Sequence, residues 1–254
     1  MKKLVLLVCL FLASLTGRFA LADTLKIAVA ANFKPTLEEL SRQFEQNTGH
    51  QLLISSASTG ILYNQIVNGA PFDVFLSADR ERPEMLQEKG MVLPGSLHTY
   101  ALGELVLWSP GKTTTLVELR GNKERLAIAN PKIAPYGLAA KQLLENLGMW
   151  SFVESRLVKG ASIQQTWQFV ASGNVPSGLV AKAQMTDSDQ YQVIPYEYYD
   201  PIQQDLIILK RTPHPELARQ FVAFILSESA QLMIENHGYF SVVKKDSKIA
   251  SKKD

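Results

Sequence analysis

The feature that most restricts the fold is a repeated alternation of short apolar segments with longer segments of helical periodicity. The apolar segments have the length of buried strands and cover residues 25–31, 51–57, 72–78, 104–108, 125–129, 177–181 and 204–210. Between the first two, Leu37, Leu40 and Phe44 recur at helical spacing before Gly49 ends the helix. The last periodic stretch, residues 215–236, is long and apolar and is closed by Gly238. Strands that alternate with helices favour an α/β fold with mostly parallel sheets.

Two breaks rich in proline and glycine divide this series. They lie near residues 109–111 and 199–201. We expect the segment between them to form a second lobe, residues 105–205, that is inserted into a first lobe. The first lobe is then built from residues 23–104 and 206–243, so both ends of the mature chain contribute to it.

The first 22 residues have the three parts of a secretory signal peptide. Lys2 and Lys3 precede an apolar run over residues 4–15, and the segment ends in Ala-Leu-Ala at residues 20–22. A transmembrane anchor is excluded because this run is too short to span about 30 Å of hydrocarbon. We therefore expect cleavage after Ala22 and export of the mature chain.

The formal net charge of +2 is unevenly distributed along the chain. The tail at residues 244–254 holds five Lys and two Asp without apolar periodicity, which predicts a flexible basic end. Residues 23–243 carry 18 basic and 22 acidic residues, so nothing indicates a nucleic-acid partner. The one cysteine, Cys9, leaves with the signal peptide and cannot form an internal disulfide or a thiolate metal site.

Four predicted strands enter helices through short, uncharged segments that carry small residues or side-chain hydroxyl and amide groups. The segments are VAANF (29–33), SASTG (56–60), APYG (134–137) and GASIQQ (160–165), and the helices end at Gly49, Gly69, Gly148 and Gly173. Such turns expose free backbone N–H groups and the positive end of the helix dipole, which bind anions without a charged side chain. Each turn alone is also consistent with an ordinary N-cap. Together the four point to an anion site.

Three of these segments carry polar side chains suited to such a site. We expect Asn32 to cap its helix, with Pro35 in the first turn, where a missing N–H costs nothing. Ser58 and Thr59 place two hydroxyls directly before Gly60. In the third segment, Tyr136 stands at a helix start, from which its phenol can reach over a ligand.

The fourth segment carries a capping box formed by Ser162 and Gln165. None of the four segments contains Lys, Arg, Asp or Glu. A fully ionised dianion such as molybdate or sulfate has only acceptor oxygens and needs donors alone, whereas a protonated phosphate also needs an acceptor. Six or so hydrogen bonds to a charged ligand, at about 1.5–3 kcal/mol each, outweigh a binding cost of at least about 4 kcal/mol.

On these residues the chain resembles the periplasmic molybdate-binding proteins of ABC importers. The resemblance runs from about Leu25 to Val242 and is carried above all by SASTGILYNQIVNGAPFDVFLSAD (56–79) and NPKIAPYGLAAKQLLENLGMW (130–150). It implies a two-lobed type II periplasmic binding protein fold, with the second lobe inserted into the first and the ligand in the cleft between them. It further implies molybdate and tungstate as ligands, a periplasmic location, a membrane permease as partner, no cofactor and a monomer.

The same resemblance carries the family's ligand positions onto six residues of this chain. They are Ala31, through its backbone amide, Asn32, Ser58, Thr59, Tyr136 and, through its backbone amide, Ile163. Some members of the family use a tyrosine at the position of Ala181. This chain therefore looks like a branch that places its phenol at residue 136.

Two alternatives remain at this stage. Another oxyanion, such as sulfate or chromate, has similar charge and shape and would suit the same fold. A periplasmic hydrolase is the other, but the S-x-x-K match at residues 109–112 lacks its partner motifs, and Val106 replaces the first glycine of a P-loop. The four histidines (His50, His98, His214 and His237) have no catalytic or metal-binding spacing. We therefore expect neither catalytic residues nor a metal site made of side chains.

Overall fold

Two five-stranded sheets, each packed against helices, form two lobes. The computed structural model describes residues 22–121 and 123–240 of the 254-residue chain. The predictions about the signal peptide before Ala22 and about the basic tail lie outside the described residues. Within the described part of the chain, no helix has the length and apolar character needed to cross a membrane.

The first pass of the chain builds most of the first sheet. Its elements are β1 (Thr24–Ala30), α1 (Lys34–Thr48), β2 (Gln51–Ala57), α2 (Thr59–Val67), β3 (Val74–Leu76), α3 (Glu81–Glu88) and β4 (His98–Gly103). Strand β1 pairs in parallel with β2 on one side and with β3 on the other. The carboxyl ends of β1 and β2 therefore lie at the same edge of the sheet, and α1 and α2 begin there.

The middle of the chain forms the second sheet. Its elements are β5 (Leu105–Trp108), α4 (Leu116–Gly121), β6 (Leu126–Ala129), α5 (Pro135–Asn146), α6 (Trp150–Val153), β7 (Leu157–Gly160), α7 (Ile163–Ala171), β8 (Ser177–Ala181) and β9 (Tyr191–Val193). Strand β6 pairs in parallel with β7 and β8, whereas β5 runs antiparallel to β8 and β9. The helices α5 and α7 thus begin at the carboxyl ends of two neighbouring parallel strands, as α1 and α2 do.

The chain then returns to the first lobe with β10 (Ile202–Ile208), α8 (Pro215–Ile225) and α9 (Glu228–Asn236). Strand β10 lies between β3 and β4 and is antiparallel to both. The sheet orders are β2-β1-β3-β10-β4 and β7-β6-β8-β5-β9. Each lobe thus has three parallel strands, and next to them an antiparallel strand that begins where the chain crosses between the lobes.

The predicted two-lobed α/β fold with an inserted second lobe is confirmed by this topology. The predicted lobe boundary after residue 205 falls inside β10, which belongs to the first sheet from Ile202 onward. The long periodic stretch at 215–236 forms two helices, α8 and α9. The second begins because the Ser227 hydroxyl accepts a hydrogen bond from the Ala230 N–H and caps a new first turn.

Each lobe has its own hydrophobic core. In the first, Phe44 packs edge-to-face against Phe221, and Leu37 is fully buried beside them. In the second, the strands and α5 bury leucines such as Leu107 and Leu143. Each core is built mainly from residues of its own lobe, and the two cores meet at the cleft through residues such as Ala31 and Ile202, which pack with the second lobe.

Candidate functional site

The four predicted turns meet at one cavity between the lobes. It is lined by Ala30, Ala31, Asn32, Ser58, Thr59, Ala78, Ala134, Pro135, Tyr136 and Ile163. All six residues predicted to bind the ligand are in this lining, and no described lining residue carries a charge. The turns meet because they follow β1, β2, β6 and β7, which hold equivalent places in the two sheets.

Each turn presents a backbone donor that the protein does not use. The first N–H groups of a helix have no partner within the helix. Within residues 22–121 and 123–240, no acceptor is bonded to the N–H groups of Asn32, Thr59, Tyr136 and Ile163. The Ala31 N–H, in contrast, donates to the carbonyl of Ala57 at 3.0 Å. The amide available at the first turn is therefore that of Asn32, one residue after the predicted one.

Two hydroxyls of the first lobe add to these donors. The Thr59 Oγ1 accepts a hydrogen bond from the Ala78 N–H at 3.0 Å, which leaves its own hydrogen free to donate. Ser58 is buried, and its Oγ has no partner among the described residues. A buried polar group without a partner costs about 1–3 kcal/mol, so an acceptor is expected beside it.

The phenol of Tyr136 supplies a third hydroxyl, from the second lobe. Its oxygen accepts a long hydrogen bond of 3.4 Å from Nε2 of Gln204, a residue of the first lobe. Burial, followed by neighbouring tyrosines, raises the pKa of Tyr136 well above the ordinary 10. The phenol therefore keeps its proton at neutral pH and can donate it to an anion.

The Asn32 side chain has a different role from the predicted one. The N-cap of α1 is Phe33, and no side chain caps this helix, although Pro35 does lie in its first turn. Nδ2 of Asn32 donates to Oε1 of Gln204 at 2.8 Å and to the hydroxyl of Tyr239 at 3.2 Å. The Tyr239 hydroxyl in turn donates to the Asn32 carbonyl at 2.8 Å. These bonds fix the turn, so its backbone N–H is the group left for a ligand.

The fourth turn is capped as expected at Ser162, whose Oγ accepts a hydrogen bond from the Gln165 N–H at 3.2 Å. The second half of the capping box is shifted by one residue, because Oε1 of Gln165 accepts from the Ala161 N–H at 2.6 Å. This cap satisfies the third N–H of α7. The first, on Ile163, remains free beside the cavity.

The lobes touch each other at the mouth of the cavity. The Gly60 N–H donates across the cleft to the carbonyl of Ile133 at 2.9 Å, and Nη2 of Arg82 donates to the carbonyl of Lys132 at 3.3 Å. A Cβ on Gly60 would lie 3.0 Å from the Ile133 backbone. The glycine after the two hydroxyls therefore permits the close approach that encloses the cavity.

The sequence did not indicate Gln204, Gly103 and Tyr239 as part of the site. They contact Asn32 or Tyr136 and do not themselves line the cavity. Gln204 stands at the start of the predicted strand 204–210, where one uncharged polar residue gives no signal of its own. Ala181 is fully buried in the second lobe and does not line the cavity. Among the described residues, no three His, Cys, Asp or Glu side chains come together as a metal site would require.

Comparison with known proteins identifies relatives over nearly the whole described chain. Residues 25–240 match the family model of bacterial extracellular solute-binding proteins. The molybdate-binding protein ModA of Azotobacter vinelandii is 42% identical over 237 residues, covering 89% of this chain and 94% of the relative. The ModA of Rhodobacter capsulatus is 40% identical, covering 87% and 89%. The solved structure of the Azotobacter vinelandii periplasmic molybdate-binding protein superposes with a TM-score of 0.81 and 42% identity, covering 85% of this chain and 98% of that one.

Proposed function

Because the chain belongs to the bacterial extracellular solute-binding proteins, and within them to the molybdate-binding proteins, we propose that it captures molybdate and delivers it to the permease of an ABC importer. Its relatives are binding proteins and not enzymes, so the hydrolase alternative is not favoured. Molybdate is the transported ligand, and no cofactor is involved. The sulfate or chromate alternative is not favoured by these relatives, which are molybdate-binding proteins.

The observation that carries this proposal is the set of buried donors without partners at an uncharged cavity. Backbone N–H groups come from all four turns, and hydroxyls come from Ser58, Thr59 and Tyr136. Molybdate offers only acceptor oxygens, so each donor can be satisfied and no acceptor is required of the protein. The helix N-termini supply the positive potential that a lysine or arginine would otherwise supply.

Transport follows from the two-lobed architecture. Donors from both lobes face one cavity, so a bound anion stabilises the closed arrangement more than an open one. The loaded, closed protein then presents a surface made of both lobes to the permease, and the unloaded protein does not.

Three finer points belong to the same proposal. Tungstate, which has the same charge and shape, is expected to bind as molybdate does. Cleavage after Ala22 delivers the mature chain to the periplasm, where the Azotobacter vinelandii relative is found. The mature protein works as a monomer, because both halves of the site come from one chain.

Titration calorimetry of residues 23–254 against molybdate, tungstate, sulfate and hydrogen phosphate tests the function. We expect one molybdate or tungstate per chain with sub-micromolar affinity, weaker binding of sulfate and the weakest binding of hydrogen phosphate. Sulfate binding as tightly as molybdate, or no binding of any of the four anions, would overturn the assignment.

A further inference from the structure

The Tyr136 phenol crosses the cleft and rests against the first lobe. Its ring belongs to α5 of the second lobe, but the groups around its oxygen are Gly103 at the end of β4 and Gln204 on β10. A Cβ on Gly103 would collide with the phenol oxygen and would lie 2.9 Å from both Cζ of Tyr136 and Nε2 of Gln204. The phenol therefore fits only because residue 103 has no side chain.

Gln204 contacts ligand-facing residues of both lobes at once. Its side chain is fully buried. Its Oε1 accepts a hydrogen bond from Nδ2 of Asn32 at 2.8 Å. The Tyr100 hydroxyl lies 3.1 Å from the same oxygen and shares its one hydrogen with the Ser77 carbonyl at 3.0 Å. Its Nε2 donates to the Tyr136 oxygen. One amide group thus joins the first turn of the first lobe to the phenol of the second.

This pattern also fixes the direction of the phenolic hydrogen. The amide oxygen of Gln204 accepts from Nδ2 of Asn32, so the group that faces Tyr136 is the NH₂. An oxygen that accepts from an N–H must direct its own hydrogen elsewhere. Among the described residues no acceptor takes the Tyr136 hydrogen, so it is available to an anion in the cavity that Tyr136 lines.

We propose that Gly103 and Gln204 form a seat for the Tyr136 phenol, and that this seat makes Gln204 a specificity-determining positioning residue. Because its oxygen accepts a hydrogen bond from Nε2 of Gln204, the phenol acts toward the ligand only as a donor. The cavity thereby favours anions without a proton over anions that carry one. This inference rests on the proposed function and adds a residue through which the selectivity is set.

The first experiment reverses the polarity of the seat. In the Gln204→Glu variant the carboxylate takes the phenolic hydrogen, and the phenol oxygen then faces the cavity as an acceptor. We expect molybdate affinity to fall about 100-fold, since a hydrogen bond to a charged ligand is lost and a like charge is added. Hydrogen phosphate should lose less because its O–H gains a partner, so the calorimetric ratio of the two affinities should fall at least about tenfold.

The second experiment is a double-mutant cycle on molybdate affinity. Gln204→Leu should weaken binding about tenfold in the wild-type background and only about threefold in the Tyr136→Phe background, the remainder arising from the Asn32 contact. Gln231→Leu is the matched control, because this buried glutamine donates to the backbone carbonyls of Tyr100 and Ile225 in the first lobe. In the Gln231→Leu variant, the ratio of molybdate affinity to hydrogen phosphate affinity should equal that of the wild type.

The third experiment fills the seat with a methyl group. Gly103→Ala should speed molybdate dissociation about tenfold, because the phenol can no longer reach its place when the lobes close. Gly121→Ala is the control, since a Cβ there meets no atom within 4 Å. Stopped-flow measurement of the dissociation rate distinguishes the two variants.

The results separate failure of the seat from failure of the proposed function. Equal losses from Gln204→Leu in both backgrounds, or an unchanged anion ratio in Gln204→Glu, would overturn the seat while wild-type molybdate binding stands. If the wild-type protein binds no oxyanion, the proposed function fails. The contact between Gln204 and Tyr136 is then tested by the free energy of unfolding of the Gln204→Leu, Tyr136→Phe and double variants. A loss in the double variant that differs from the sum of the single losses supports the seat, and strictly additive losses overturn it.

Discussion

The two lobes contribute to the cavity in different ways, although their sheets are built alike, with three parallel strands followed by an antiparallel one. In the first lobe the donors are held by their own lobe: the Thr59 hydroxyl by Ala78, and the turn at Asn32 by Gln204 and Tyr239. In the second lobe the Tyr136 hydroxyl is held by Gln204 of the other lobe.

This difference indicates that the halves of the site form at different times. Because the first-lobe donors are held by contacts within their own lobe, we expect them to keep their geometry when the lobes are apart and to bind the anion first. The phenol oxygen contacts Gln204 and Gly103 of the first lobe, so we expect it to be placed only when the lobes close. We therefore expect changes in the first lobe to act on capture itself, and changes at Tyr136 to act on how long the ligand stays.

The largest effect should come from a negative charge placed on the first-lobe half. Ser58→Asp puts a carboxylate at a buried position that faces the anion, and like-charge contact costs several kcal/mol. Molybdate affinity should fall more than about 1000-fold, or about 4 kcal/mol, by calorimetry. Ser151→Asp, at an exposed position of the second lobe, controls for the added charge and should bind as the wild type does.

Loss of a preformed hydroxyl should have the next largest effect. Thr59→Ala removes a donor to the ligand and also the acceptor of the Ala78 N–H, so affinity should fall about 100-fold and stability by about 1–3 kcal/mol. Thr59→Ser keeps both bonds and should retain affinity within about threefold. If Thr59→Ala binds molybdate normally, the preformed half does not include this residue.

Loss of the second-lobe phenol should reduce molybdate affinity less than loss of the Thr59 hydroxyl, and the reduction should appear in the dissociation rate. Tyr136→Phe removes one donor that forms on closure, so affinity should fall about 10–30-fold. The change should appear in the dissociation rate, with association altered less than about twofold. If the association rate falls as much as the dissociation rate rises, both lobes act at capture, which would contradict the proposed difference between them.

The smallest effect should come from pH. Because burial raises the pKa of Tyr136 well above 10, the phenol remains a donor throughout the neutral and mildly alkaline range, and serine, threonine and backbone donors do not titrate there. Molybdate affinity should be constant from about pH 7 to 9.5. The sign is that of a raised pKa: binding weakens only as the pH rises through this raised pKa, well above 10, where a phenolate would oppose the anion. A decline centred near pH 8 would indicate another titrating group.

The sequence was sufficient for the parts of the site that depend on local structure. A strand end, a small polar turn and a following helix that ends at glycine are enough to predict free N–H groups at the turn. The four turns predicted in this way lie at one cavity. The glycines at the helix ends take positive φ, as at Gly49 and Gly173. The parallel strand pattern likewise predicts that these turns share an edge of each sheet.

The contacts behind the site could not be predicted because they join distant parts of the chain. Gln204 lies 172 residues from Asn32 and 68 from Tyr136 in sequence. Nothing local marks it as their common partner. The use of Asn32 as a buried link and not as a helix cap depends on the same long-range bonds. The Ala31 amide was misplaced by one residue because its N–H donates to the Ala57 carbonyl, which extends the β1–β2 hydrogen-bond ladder by one step past Ala30.

A crystal structure of the mature protein with molybdate, phased on the anomalous signal of molybdenum, tests the central claim most directly. We predict a single molybdenum peak between the lobes. Its oxygens should lie within hydrogen-bond distance of the Ser58, Thr59 and Tyr136 hydroxyls and of the Asn32 and Ile163 N–H groups. A peak elsewhere, or an anion held by a lysine or arginine side chain in this cavity, would contradict it.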